Sequence, residues 1–529
     1  MDFSDIIGYL VFFIFFILPR VLKFLAKNRK QQAPQPAKPM GVPTLEEMLG
    51  GEIKEPATPT YSAEERQTYR GMIERIEGEI VTHSAETLDI VNFAKARGGG
   101  AEKMAQIIPS TITPPLRQMQ RQVRKLKAHI DAPNDGAAYN LEQQLLHQRD
   151  ILGLLKQMTE QRVKPDRAEI LGTLDTACKE ALRPFRIHAS RMNLPYRTEY
   201  VLSVMDDAGK DFAALLQNTN VGVAVVHKAA AELPQGWINL ISDVGMDVCY
   251  SVKGLLRQME SELGAPAPPR SVNHYRDPRA RMAGLISSWL PRIFGDVACV
   301  LYLGPGALHG MQGLYNRDET LVANLAPTSA KMPLHLRVYV AARVLAHMGF
   351  QDLANQKWEA WQRRLGNPQE LALTDDTAQA SVAVQPLTQA VGQVVDYLIK
   401  APLARLGNTP LPQVPSLLCN RATIQRMEQM APFLKEGEAR NGPTRVIMGA
   451  ALIAQEKHPT MERRIGNAAM DAMAGKGTVI DAPPIPSPAG GRALSLLDAA
   501  HTPGIAAGAV ALAAALAPRR FRNPLTPKY

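Results

Sequence analysis

A chain of 529 residues that is 46% apolar has room for roughly two to four domains and enough apolar side chain to fold them, which excludes a wholly disordered protein. Much of the net charge of +10 sits at the two ends, without zinc-finger spacing or a basic stripe interleaved with aromatics, so membrane phospholipid is the expected anionic partner and nucleic acid is not. The four cysteines, Cys178, Cys249, Cys299 and Cys419, form no CxxC pair and read as small buried side chains in a reducing compartment.

The first predicted element is a membrane helix. Ile6 to Leu18 is uncharged, and the apolar character continues to Leu25 with only Arg20 and Lys23 interrupting it. This approaches the ~20 residues a helix needs to cross a bilayer, and the two cations can snorkel to the interface. Asp2 and Asp5 before the run, and Pro19 and Arg20 after it, argue against a cleaved leader. Arg20, Lys23, Lys27, Arg29 and Lys30 all lie on its C-terminal side. The positive-inside rule therefore makes residues 1–27 a single-pass anchor with the body in the cytoplasm, at the inner membrane if the cell is bacterial. A helix lying in the inner leaflet is the alternative. Residues 28–60, rich in proline, glutamine and charge, read as a flexible tether.

A helical neck is expected over 61–192. Tyr69, Ile73, Ile76 and Ile80 mark one face of a first helix, which Gly98, Gly99 and Gly100 should stop. A second is expected to start at Pro114 and Pro115, with Leu116, Met119, Val123, Leu126 and Ile130 on its apolar face, and a third carries Leu141, Leu145, Leu152 and Leu155. Self-association through these helices is an expectation, as a bundle more readily than as a coiled coil. A fourth helix, Arg167 to Met192, leads into the body, where EYVLSVMDD (Glu199 to Asp207) and NVGVAVVHK (Asn220 to Lys228) read as strands. Trp237 to Leu263 reads as one amphipathic helix with Leu240, Val244, Val248 and Val252 as its buried stripe.

The region 351–475 reads as helical, with helices over Pro386 to Leu406, Ala422 to Leu434 and Gly442 to Pro459. Residues 476–493 have linker composition, and 494–529 read as an alanine-rich docking helix with a basic tail. His335 and His347 flank one predicted helix and read as surface or capped histidines. No Walker loop, GxSxG elbow or GxGxxG motif appears. The fold class expected is mainly α, with an α+β body.

Four blocks of the body stand in an informative order. They are Asn220 to Lys228, Trp237 to Tyr250 (WINLISDVGMDVCY), Trp289 to Gly306 (WLPRIFGDVACVLYLGPG) and Met332 to Phe350. Together they make 193–350 resemble a gluzincin-like zinc metallopeptidase domain, the HExxH and ExxAD type. In such a domain two histidines four residues apart face one side of a helix and hold zinc, while the glutamate between them polarises a water. Laid on that pattern, Ser242 and Met246 stand at the histidines and Asp243 at the general base. Arg292 stands at the ligand glutamate, Gly295 at the alanine and Asp296 at the retained aspartate; Pro333 and Arg337 match a later helix start and its arginine.

Every ligand position has changed, and a cation at the third would repel zinc. The resemblance therefore implies descent from a peptidase, a vestigial site at Ser242, Asp243, Met246, Arg292 and Asp296, no catalytic residue, no metal and no cofactor. The expected function is non-catalytic binding or scaffolding through the former active-site cleft. An active hydrolase with a non-standard site and a purely structural helical membrane protein are the alternatives.

Overall fold

The computed structural model describes residues 61–206, 212–216, 219–265, 278–314, 324–325, 332–364, 369–375 and 378–479. The expected anchor with its flanking cations Arg20, Lys23, Lys27, Arg29 and Lys30, the tether, and everything from 480 onward lie outside the described residues. The chain divides into two compact units, Met1–Arg66 and Gln67–Tyr529. In the first, Ser62 and Glu65 form a reciprocal cap: the Glu65 amide donates to Ser62 Oγ (3.1 Å) and the Ser62 amide to Glu65 Oε2 (2.7 Å), which opens helix α1 (Ala63–Arg97).

Among the described residues the second unit is mostly helical, with three small sheets. Helix α1 does stop at Gly98, but α2 (Gly99–Ala128) begins at once and runs through Pro109, Pro114 and Pro115. The prolines are therefore internal, and do not start the helix. Met104, Ile108, Ile112, Leu116, Met119 and Val123 form one buried stripe on both sides of them, and that burial carries the helix past three missing donors. Helix α3 (Asp135–Val163) follows, capped by Asn134, whose side chain accepts from the Ala137 amide. Helix α4 (Pro165–Arg191) begins two residues after α3 ends.

Strands β1 (Tyr200–Met205) and β2 (Val221–Val226), joined by the short helix α5 (Phe212–Leu216), pair in parallel with Tyr200 opposite Val221. This sheet separates two cores. Leu202, Val204, Val221 and Val223 pack with the apolar stripes of α1 to α3, whereas Val201, Met205, Ala224 and Val226 pack with α4 and the body, the alternation a pleated strand imposes. Helix α4, read from sequence as the last neck helix, thus packs with the body: Leu171, Leu174, Cys178 and Phe185 belong to that core.

The body continues with α6 (Gly236–Ser251) and α7 (Leu255–Glu262). The expected single helix 237–263 is broken there, because Val252 is extended and Gly254 adopts φ +80°, a conformation open to glycine. Then come α8 (Pro278–Leu303), α9 (Pro305–Leu314), α10 (Leu334–His347) and α11 (Gln351–Arg364). Ala280–Leu303 is long and apolar enough to cross a membrane, but 89% of that window is buried in the protein, which makes it a core helix.

Within the region read as helical lies a sheet: β4 (Glu370–Asp375) and β5 (Ala378–Ala383) form an antiparallel hairpin, and β3 (Asn324–Leu325) joins β4 in parallel. The helices α12 (Val384–Lys400), α13 (Arg421–Lys435), α14 (Thr444–Lys457) and α15 (Glu462–Met473) complete the body. Thr478–Val479, placed by composition in a linker, pairs as a strand with Arg440–Asn441. All four cysteines are buried and free.

Among the described residues no strand lies beside the outer edge of β1, and side chains from the helices take that place. Gln161 Oε1 accepts from the Met205 amide (3.0 Å) while its Nε2 donates to the Met205 carbonyl (2.7 Å). Asp175 accepts from the Ser203 amide (2.7 Å) and hydroxyl (2.8 Å), and Arg162 Nη2 donates to the Ser203 carbonyl (2.9 Å) and to both Asp175 oxygens. Arg162 and Asp175 are buried, so removing one member strands the other's charge. Asp175→Ala should lower stability by about 3–5 kcal/mol, read as a fall in the urea midpoint of the full chain. A change below about 1 kcal/mol, the scale of an exposed pair, would mean that the pair does not hold the edge.

Candidate functional site

Helix α6 lies against β2 and α8 and is buried nearly all round: between Gly236 and Ser251 only Asn239 and Tyr250 are partly exposed. Its polar side chains therefore need partners inside the protein. Helices α6 and α8 approach through glycines. A Cβ on Gly245 would lie 2.7 Å from Gly295 Cα, and one on Gly295 would lie 2.3 Å from the Ser242 carbonyl oxygen. Alanine, which the peptidase pattern has at position 295, does not fit this crossing.

The close approach brings together Ser242, Asp243, Arg292 and Asp296, four of the five positions that the resemblance singles out. The Ser242 hydroxyl donates to Asp296 Oδ1 (2.6 Å) and accepts from Arg292 Nη1 (3.1 Å). Arg292 Nη1 also donates to Asp243 Oδ1 (2.7 Å), and Asp243 Oδ2 accepts from the Val225 amide on β2 (2.8 Å). Asp296 has no exposed surface. Besides Ser242 it takes a bidentate pair from Arg337, Nε to Oδ2 (2.8 Å) and Nη2 to Oδ1 (2.7 Å). Arg337 reaches it from the first turns of α10 and also donates to Asn239 Oδ1 (2.8 Å). Met246 is 1% exposed and makes no part of this network; its Cγ and amide sit beside Gly295.

The chemistry of this donor set does not fit zinc. The Ser242 hydroxyl and the Met246 thioether are poor zinc ligands, and Arg292 brings a positive charge into the centre. Among the described residues no group of three or more His, Cys, Asp or Glu side chains is arranged to hold a metal ion. Burial pushes the Asp243 carboxyl above the ordinary aspartate range, against the pull of Arg292 and the Val225 amide.

Along α8 the segment from Ala283 to Leu303 is buried except at Ser288 and Arg292, one helical turn apart. The Arg292 side chain is 19% exposed against 8% for Asp243. Arg292 and Asn239 are therefore the members of the network that reach solvent.

Sequence reasoning missed two features. Asp247, one turn beyond Asp243, is buried with its carboxylate against Gly222 of β2, where a Cβ would lie 2.4 Å from Asp247 Cγ. Ser251 Oγ donates to Asp247 Oδ2 (3.3 Å) and is hydrogen-bonded to Thr198. Burial pushes the Asp247 carboxyl up to about 7. The signal available was its i, i+4 spacing from Asp243, which in isolation reads as a solvated face. His335, expected as a surface or capped histidine, is buried at 4.9 Å from the Trp358 ring, and burial lowers its pKa to about 4. His347 is partly buried and pairs with another helix and not with a helix end, its Nε2 2.7 Å from Asp396 Oδ1.

No family model, curated protein or solved structure matches this chain.

The Asp247 site gives a pH dependence with a definite sign. An aspartate raised from 3.8 to about 7 holds its proton more tightly in the folded than in the unfolded protein. Its stabilising contribution is full below pH ~4 and is lost as the pH rises through about 7. Relative to wild type, Asp247→Asn should therefore gain up to about 4 kcal/mol between pH 4 and pH 8. Melting curves of both proteins across that range check this; a difference that does not change with pH would place the Asp247 titration elsewhere.

Proposed function

We propose that this protein is a membrane-tethered pseudo-metallopeptidase, a non-catalytic binding or scaffold protein that engages a polypeptide at the mouth of the former active site. In this reading the N-terminal apolar segment anchors the chain with its body in the cytoplasm, no metal takes part, and the gluzincin-like ancestry survives in the arrangement of α6, α8 and α10. The observation that carries it is convergence. Ser242 and Asp243 meet Arg292 and Asp296, some 50 positions further along the chain, in one hydrogen-bonded cluster, in the pairing that the peptidase pattern demands of those positions. Arg337, singled out by the same pattern, completes the cluster by holding Asp296.

The cluster's chemistry supports loss of the reaction. Asp243, at the general-base position, is buried and held by Arg292 and a strand amide, which occupy both of its oxygens in fixing structure. What remains presented is the Arg292 guanidinium beside Ser288, a donor-rich edge suited to a carboxylate or backbone carbonyl of a bound chain. A photo-crosslinking residue at Ser288 of the full chain, in its native membrane, should yield polypeptide adducts that Arg292→Glu abolishes. Adducts indifferent to Arg292→Glu, or none at all, would contradict binding at this mouth.

A further inference from the structure

A second feature lies outside the former active site and uses none of its residues. A cavity of about 1000 Å³ opens where the 195–197 segment, the break between α6 and α7, and the turn at Ala404–Arg405 meet. Its wall is built by backbone pairing: the Arg197 amide donates to the Ser251 carbonyl (3.3 Å) and the Lys253 amide to the Pro195 carbonyl (3.2 Å). Four cations line it, Arg197, Lys253, Arg257 and Arg405, against a single carboxylate, Glu262.

That carboxylate is already engaged. Glu262 Oε2 accepts from the Tyr397 hydroxyl (2.5 Å) and Oε1 from Gln258 Nε2 (2.9 Å), while Gln258 Oε1 takes the Arg405 amide (2.8 Å). Glu260 lies in the field of Arg257 without pairing to it. Among the described residues no carboxylate stands within ion-pair distance of Lys253, Arg257 or Arg405.

The position of Arg405 sharpens this. Its guanidinium lies over Gly254, so that a Cβ there would meet Nε at 3.3 Å, and Gly254 precedes the first turn of α7 with no side chain capping that turn. A cation beside a helix N-terminus adds to the positive end of the helix dipole and is unfavourable alone. An anion seated between them would meet uncapped amides and the Arg405 guanidinium, with Arg257 and Lys253 lining the same pocket.

We infer that this cavity binds a phosphate-bearing anion, through Lys253, Arg257, Arg405 and the N-terminus of α7. A phosphate group fits better than a lone carboxylate because Lys253, Arg257 and Arg405, all exposed, line the same pocket, and its several oxygens can accept from more than one of them. The chemistry is common to a soluble phosphate compound and a phospholipid headgroup, and the titration separates them.

The full chain in non-ionic detergent would be titrated with inorganic pyrophosphate, with soluble dihexanoyl phosphatidylglycerol, and with dihexanoyl phosphatidylcholine as the zwitterionic control. Saturable binding of either anion is expected, weakened about tenfold by Arg257→Gln with Arg405→Gln. Arg421→Gln with Arg426→Gln, which removes the same charge elsewhere, should leave it unchanged. Lys253→Gln alone serves if the double variant fails to fold. Preference for pyrophosphate assigns a soluble ligand, and preference for phosphatidylglycerol assigns a headgroup. Binding of neither anion, or equal weakening by the control pair, would overturn the inference.

Discussion

Asp296 is a carboxylate with no exposed surface, and its charge is balanced by the bidentate guanidinium of Arg337 and the hydroxyl of Ser242. An ionised group in such a place is tolerated only if its partners stay fixed, because the desolvation penalty is several kcal/mol. This requirement ties three helices to one another: α8 supplies the acid, α10 the arginine and α6 the hydroxyl. The glycine contact between Gly245 and Gly295 is the geometric counterpart, since only with both Cβ atoms missing can Ser242 come within reach of Asp296. The edge of β2, through Asp243, and Arg292 and Asn239 are arranged around this centre.

The same logic recurs at the β1–β2 sheet. Two strands cannot satisfy both of their own edges, and here each outer edge borrows side chains: Gln161, Arg162 and Asp175 on β1, and Asp243 on β2. Asp243 thus has two structural duties, capping a strand amide and pairing with Arg292. A residue so occupied is poorly placed for acid–base chemistry and well placed to hold a backbone still. The sheet also joins the helices of the neck to the body, because each face of it belongs to a different apolar core.

Much of the fold was legible in the sequence where burial and periodicity agree. The helices around Tyr69 to Ile80, Leu141 to Leu155 and Thr444 to Lys457, and both strands of the first sheet, follow patterns visible in the chain. The errors have physical causes. Pro114 and Pro115 mimic a helix start, yet the apolar stripe from Met104 to Val123 overrides the local signal. Trp237 to Leu263 keeps helical spacing across Val252 to Gly254, and the left-handed Gly254 breaks it where periodicity shows nothing. The β4–β5 hairpin is short and sits among strong helices, so its period-2 pattern was swamped. At the site, the grouping of Ser242, Asp243, Arg292 and Asp296 was legible, while the burial of Asp247 was not, since no one-dimensional signal distinguishes a charge facing a strand from one facing water.

The claim at the centre of this account is that the backbone of a zinc site persists without its ligands. Zinc stoichiometry of the full chain, measured by elemental mass spectrometry for wild type and for the combined change Ser242→His, Asp243→Glu, Met246→His and Arg292→Glu, tests it most directly. No bound zinc is expected in wild type and roughly one ion in the variant, whose two imidazoles and carboxylate supply a three-ligand site with an open position. Zinc held by wild type and lost on Asp243→Ala, or a variant that melts as wild type does and binds no zinc, would contradict it.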